Sequence, residues 1–451
     1  MALTGRLNLT EGRPAGLLVR FALPMLLGNL LQQLYNVVDS LVVGNFVGTQ
    51  ALAAVNIGNY PVNVLLALFI GMGTGASIRI SQCCGAGDEA GVRRLVDSAM
   101  SLILLLSLPL TLLGLAVARP VLSLMNTPAD SFEAARQYLS IFLLGTLGLI
   151  GYNLNAGILR GMGDSRSPVL FLAVATVVNI ALDLLFVAGL SWGVSGAAAA
   201  TVIAVYASWA FSLLYIRRHY PQFAMRFYPL RIDGRAVRDI LRLGLPIGIN
   251  DALFSLGHLI LSSIVNTHGS AFVAGYSAAG KLDTLSFMPL SSFAAAATAF
   301  TGQNFGARRF DRVRSGARSA LLLVVGWSFL ACGVLLLCGR WAIGLFDRTP
   351  EVIDVGYAYL LCLEPFYVLY SIMYLLNAVM NGVGCVRVPM IANMVLFWVV
   401  RLPAAYLLNA LAPANALFFC YPISWAAGLA ISGLYFLSGR WRRGFAKEET
   451  A

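Results

Sequence analysis

Apolar runs of about 20 residues, the length that crosses about 30 Å of hydrocarbon, recur from Leu17 to Ser438. No polar stretch between them is long enough to fold as a soluble domain. Only 11% of the residues are charged and 59% are hydrophobic, whereas water-soluble domains carry roughly 25% charged residues to cover their surface. The chain therefore reads as an all-α integral membrane protein. Twelve spanning helices are expected, at 17–46, 51–82, 94–118, 136–160, 168–190, 193–217, 241–267, 271–302, 316–339, 353–381, 388–411 and 414–438. Pro24, Pro61, Pro246 and Pro289 fall inside helices, where kinks are tolerated if neighbours satisfy the freed carbonyls.

The formal charge of +11 does not point to nucleic acid, because the positive residues sit in short segments between apolar runs. With both termini on one side, 25 of the 31 Lys and Arg residues fall in segments on that side and 4 on the other. Lys281 and Arg401 are left within the membrane. Positive loops stay in the cytoplasm, so both termini are expected there. The seven cysteines are odd in number and include no C-x-x-C, so neither a disulfide nor a metal site is expected. The first apolar run is too long for a signal peptide and lacks a small-residue cleavage pattern, so it is expected to remain as a helix.

The chain repeats itself. The stretch "GTQALAAVNIG" from Gly48 aligns with "GSAFVAGYSAAG" from Gly269 at an offset of 221, which also pairs Gln82 with Gln303, Gly85 with Gly306, Tyr138 with Tyr359 and Pro168 with Pro389. An offset of 222 places Leu23-Pro24 on Leu245-Pro246. Each repeat holds six crossings, an even number, so both halves insert the same way up and are related by an axis along the membrane normal. The expected organisation is a six-helix bundle over 1–218, a basic cytoplasmic linker over 219–240 and a second six-helix bundle over 241–451.

Within the first run, Asn29, Gln32, Asn36 and Asp39 succeed one another at steps of three, four and three, which puts them on one helical face. A carboxylate at membrane depth costs roughly 2.5–3.5 kcal/mol on insertion scales and calls for a function. At the repeat offset, Asn29, Gln33, Asn36 and Ser40 map onto Asp251, Ser255, His258 and Ser262. Two equivalent polar faces imply a lined cavity, although polar stripes also serve as helix-packing glue. Gln33, Asn36, Asn153, Asn155, Thr201, Asp251 and His258 are candidate lining residues. His258 is a proton relay or a packing residue.

Asp183 shares a face with Thr176 and Asn179. Both Asp39 and Asp183 lie seven residues from the outer ends of their helices, about 10 Å deep at 1.5 Å per residue. A shared site is thus geometrically open to them. Two carboxylates drawn together in a low dielectric cannot both ionise cheaply, so the pair should titrate as a unit, which is what a proton-coupled carrier needs. Asp183 maps onto Ala404 in the second half, where Arg401 stands close by. Lys281, Asp283, Arg401 and Glu364 are expected to form a salt-bridged cluster there. The "GMGTGA" run at Gly71–Ala76 lacks the Lys-Ser/Thr ending of a phosphate loop and reads as close helix packing. No catalytic motif and no ATPase module are present, so an ion gradient or another chain must supply energy.

The segments "LPMLLGNLLQQLYNVVDSLVVGNFVG" with Pro24 and Asp39, "QCCGAGD" from Gln82, "RGMGDSRSP" from Arg160 and "VVNIALD" with Asn179 and Asp183 resemble the multidrug and toxic compound extrusion (MATE) transporters. The resemblance spans essentially the whole chain, and the Asp39 with Asn179 and Asp183 set is similar to the prokaryotic DNA-damage-inducible branch. It implies a V-shaped pair of bundles in the prokaryotic cytoplasmic membrane, with Asp39, Asp183 and Asn179 as the ion-coupling set and Pro24 as hinge. It implies export of cationic or amphipathic organic compounds against inward H+ or Na+ flow. Where another branch places a seventh-helix glutamate for Na+, Phe254-Ser255 stand here, which favours H+. The expected protein is a non-enzymatic antiporter and a monomer, with no cofactor, metal or nucleic acid. A flippase for a lipid-linked sugar is the alternative cargo, and it would need a more cationic cavity than Lys281 and Arg401 supply.

Overall fold

A computed structural model describes residues 6–125, 127–224 and 230–442. The first half runs through α1 (Pro14–Phe46), α2 (Thr49–Ala86), α3 (Glu89–Leu124), α4 (Ala129–Leu144), α5 (Thr146–Gly161), α6 (Ser167–Asp183) and α7 (Gly193–His219). The second holds α8 (Gly234–Asn266), α9 (Ser270–Gly306), α10 (Phe310–Gly344), α11 (Pro350–Leu363), α12 (Tyr367–Val383), α13 (Arg387–Met394), α14 (Leu402–Leu411) and α15 (Cys420–Leu437). Two stretches of wider π-helix, Leu184–Gly189 after α6 and Val395–Arg401 before α14, interrupt the α winding.

Among the described residues nine helical segments are long and apolar enough to span a bilayer, or ten when α4 and α5, bent by 51°, count as one. The two expected spans beyond these are α2 and α9. The latter is diluted by Ala, Ser and Gly and carries Lys281 and Asp283. Pro61, Arg226, Arg443 and Lys447 lie outside the residues whose side chains are described. Pro24, Pro246 and Pro289 sit inside α1, α8 and α9.

The chain forms two compact units whose borders differ from the expected ones. The first comprises 6–8 and Pro24–Ala252, the second Leu9–Leu23 and 253–442. Two helices are thus shared out between units, α1 at Pro24 and α8 after Ala252. The start of α8 belongs to the first unit because glycines remove the side chains between it and α2. A Cβ on Gly75 would lie 2.5 Å from the Gly244 nitrogen, and Gly71 abuts Gly248 as closely. The expected linker is not a free connection either. The Asp233 N–H donates to Ser98 Oγ (3.0 Å) and the Arg231 N–H to Ser101 Oγ (3.2 Å), which binds it to α3.

At the turn into α6, Asp164 is fully buried and accepts the N–H groups of Arg166 and Ser167, both at 3.0 Å, and the Tyr220 hydroxyl at 2.8 Å. The "GMGD" stretch is therefore a helix start welded to the end of α7. In the second unit the Leu9 N–H donates to Gln303 Oε1 (3.1 Å) and Asn304 Nδ2 donates to the Leu9 carbonyl (3.0 Å). Leu18 and Phe21, in the first turns of α1, are buried, which is why this part of α1 belongs to the second unit.

Candidate functional site

In the first unit α1, α6 and α7 bring five polar side chains together. Gly28 of α1 is buried, and a Cβ there would lie 3.5 Å from Val169 of α6, so the two helices pass closely. Further along, Asp39 faces Asp183. Asp183 is 0% exposed and neither of its oxygens has a hydrogen-bond partner. Asn179, one turn earlier on α6, is also fully buried and lies against Asp183. Its amide donates to Thr201 Oγ1 of α7 at 3.5 Å, and that hydroxyl meets the Tyr35 hydroxyl at 3.2 Å. Val43, Val187 and Ala197 pack beside this group in a buried apolar cluster.

Among the described residues no Lys, Arg or His forms an ion pair with either carboxylate. Two unit charges about 4 Å apart repel by about 4 kcal/mol at an effective dielectric of 20. A carboxylate pair this close with no counterion cannot cheaply carry both charges.

The other candidates divide. Asn36 donates to Gln33 Oε1 at 3.2 Å on an exposed face of α1. Asn153 turns back to the Leu149 carbonyl (2.8 Å) and is partly exposed. Asn155 corrects the expectation of a lining residue. It is fully buried and donates to Ser212 Oγ at 2.6 Å, so it holds α5 to α7. Thr201, expected as lining, belongs to the carboxylate network instead. Asp251 accepts from Asn250 (3.1 Å) within the first unit. Tyr35 was not singled out by sequence; its position four residues before Asp39 was the available signal.

In the second unit the expected salt-bridged cluster does not form. Arg401 is 2% exposed, and its guanidinium stacks over Tyr421 (4.5 Å) and Phe397 (4.8 Å) and donates to Ser424 Oγ at 3.0 Å. Lys281 lies over the Phe346 ring at 5.2 Å. Asp283 faces Arg401 without an ion pair, and Glu364 is 1% exposed with neither oxygen bonded. Aromatic faces have taken the place the carboxylates were expected to fill. His258 packs edge-on against Phe254 and Phe397, at 4.9 and 5.1 Å, as an aromatic among aromatics.

The family profile MatE matches residues 24–185 and again 246–407, two stretches offset by the same 222 residues that relate Pro24 to Pro246. The chain belongs to the MatE family. Two relatives of this MatE chain are a probable multidrug resistance protein, YpnP, of Bacillus subtilis, 29% identical over 96% of this chain and 97% of its own length, and the DNA damage-inducible protein F of Escherichia coli, 27% identical over 75% of this chain and 74% of its own. A similar solved structure is a MOP superfamily transporter from Pyrococcus furiosus described as having a binding pocket of reverse polarity. It superimposes with a TM-score of 0.88 at 25% identity, over 96% of this chain and 97% of that one. The MatE chain is accordingly an integral membrane transporter of small molecules, not an enzyme.

Proposed function

We propose that this transporter is a secondary antiporter that exports cationic or amphipathic organic compounds in exchange for inward protons. The observation that carries the reading is the Asp39 and Asp183 pair, Asp183 buried and Asp39 half-buried, with no counterion among the described residues. A proton reaching the pair removes the repulsion between its members, and its release restores two acceptors. The Thr201 and Tyr35 hydroxyls and the Asn179 amide hold the geometry in which one proton serves both carboxylates. Neutralisation lets α1 move against α6, with Pro24 as the bend, and the change in the Gln33 and Asn36 face releases the substrate. Na+ is the alternative coupling ion, since the same oxygens would suit a small hard cation. No cofactor takes part.

The protein is proposed to work as a monomer in a prokaryotic cytoplasmic membrane with both termini inside, on the strength of the 25-to-4 distribution of Lys and Arg. The deciding experiment is uptake of ethidium by purified protein in liposomes, first under an imposed pH gradient and then under a Na+ gradient. Uptake driven by pH and absent in Asp39→Asn and Asp183→Asn is expected. Undiminished uptake by both variants would overturn the mechanism, and uptake under the Na+ gradient alone would replace the ion.

A further inference from the structure

At one end of the first unit the C-terminus of α2, the start of α3 and the start of α8 line an open cleft of about 890 Å3, within the size range of ligand sites. It shares no residue with the Asp39 and Asp183 site. Four guanidinium groups, Arg79, Arg94, Arg235 and Arg238, line it with three carboxylates.

The carboxylates are already engaged. Asp88 accepts the Gly91 N–H at 2.7 Å at the start of α3. Asp233 accepts the N–H groups of Arg235 (2.8 Å) and Ala236 (3.0 Å) at the start of α8, and those bonds hold its carboxyl below the usual carboxylate range. Asp239 takes the Arg79 Nε at 3.0 Å. Arg94 lies 3.8 Å from Asp88. Arg235 and Arg238 are left, among the described residues, with no ion-pair partner.

The rim is also fixed in place. Ser98 and Ser101 of α3 bind the backbone of Asp233 and Arg231. Gly87, at a φ of 71°, turns the chain between α2 and α3, and a side chain at Gly91 would collide with the Asp88 carboxylate. The first turns of two long helices open on the cleft, and their N-terminal dipoles add to its positive field. Ile232, 55% exposed, and Leu95 supply apolar surface beside the arginines.

We propose that this cleft binds a phosphate-bearing anion, held between Arg235 and Arg238 of α8 and Arg94 of α3. Guanidinium forks match phosphate oxygens in pairs, and basic pockets between membrane helices take phospholipid head groups. An anion bound there fastens the first turn of α8 to α3.

The test is native mass spectrometry of the full-length protein in detergent with added phosphatidylglycerol or phosphatidylcholine, beside calorimetric titration with inorganic phosphate. Wild-type protein is expected to retain phosphatidylglycerol over phosphatidylcholine, or to bind phosphate. The first outcome identifies a lipid as the source and the second a soluble ligand. Arg235→Ala with Arg238→Ala should weaken that binding at least tenfold, at roughly fivefold per arginine. Arg235→Gln alone should give an intermediate loss, and added NaCl should weaken the wild type more than the variants. Equal retention of the two lipids with no phosphate binding, or full binding by a folded double variant, would overturn the proposal.

Discussion

The Tyr220 hydroxyl donates to the same Asp164 oxygen that takes the Ser167 hydroxyl, at 2.8 and 2.5 Å, so one buried carboxylate joins the end of α7 to the start of α6. Burial and that carboxylate push the Tyr220 phenol well above its ordinary range, and the group stays a donor at any working pH. Because α6 carries Asn179 and Asp183 and α7 carries Thr201, this joint sets the frame in which the carboxylate network is held.

Tyr220→Phe should therefore cost about 1.5–3 kcal/mol, the worth of a hydrogen bond to a charged group. Asp164→Ala should cost more, because it also strips the partners from two backbone N–H groups. Thermal unfolding in detergent followed by intrinsic fluorescence measures both, and an unchanged midpoint for Asp164→Ala would contradict the role.

Replacing either member of the carboxylate pair by Asn should preserve the fold. The amide fits the space and cannot carry the charge cycle. Asp183→Asn is expected to abolish pH-driven ethidium uptake while leaving the elution profile on gel filtration intact. Tyr35→Phe removes only one hydroxyl of the network and should retain measurable uptake.

The glycine contacts give a paired prediction. Gly75→Ala drives a methyl group into the backbone at Gly244 and should destabilise by about 1–3 kcal/mol, as overpacking does. Gly326→Ala in α10 meets nothing within 4 Å and should be neutral or stabilise by up to about 1 kcal/mol. Melting temperatures shifting in the same direction would refute the contrast.

Arg401→Met keeps most of the side-chain volume and leaves no broken ion pair behind, since none exists. Its cost should come from the stacking over Tyr421 and Phe397 and the lost bond to Ser424, about 2–4 kcal/mol together. A complete failure to fold would show that the facing carboxylate, Asp283, depends on the guanidinium after all.

Spans, repeat and family were legible in the chain because hydrophobic length and internal offset leave direct traces in sequence. Depth counting put Asp39 and Asp183 on one level, and the structure sets them face to face. Asn155 and Thr201 are expected as lining residues from their polar character, which does not say which neighbouring helix each one meets. Asn155 turned to Ser212, and Thr201 to Asn179 and Tyr35. The second-half cluster is not legible because counting opposite charges does not show that the aromatic faces of Phe397 and Tyr421 can hold Arg401 instead. Borders between units escaped detection since a helix shared at Pro24 or after Ala252 looks continuous in sequence. The winding of Leu184–Gly189 left no compositional mark either.

That wider turn has a consequence for the site. It begins on the residue after Asp183 and ends four residues before α7. A chain one residue shorter there would wind as an ordinary α-helix, turn the residues after Asp183 by about 100°, and strain the Leu190–Trp192 turn, with Ser191 already at a φ of 54°, that leads into α7 and Thr201. The number of residues between Asp183 and Gly193, whatever their identities, is thus a determinant of the site. A single deletion in this apolar stretch should silence transport as surely as the loss of a carboxylate.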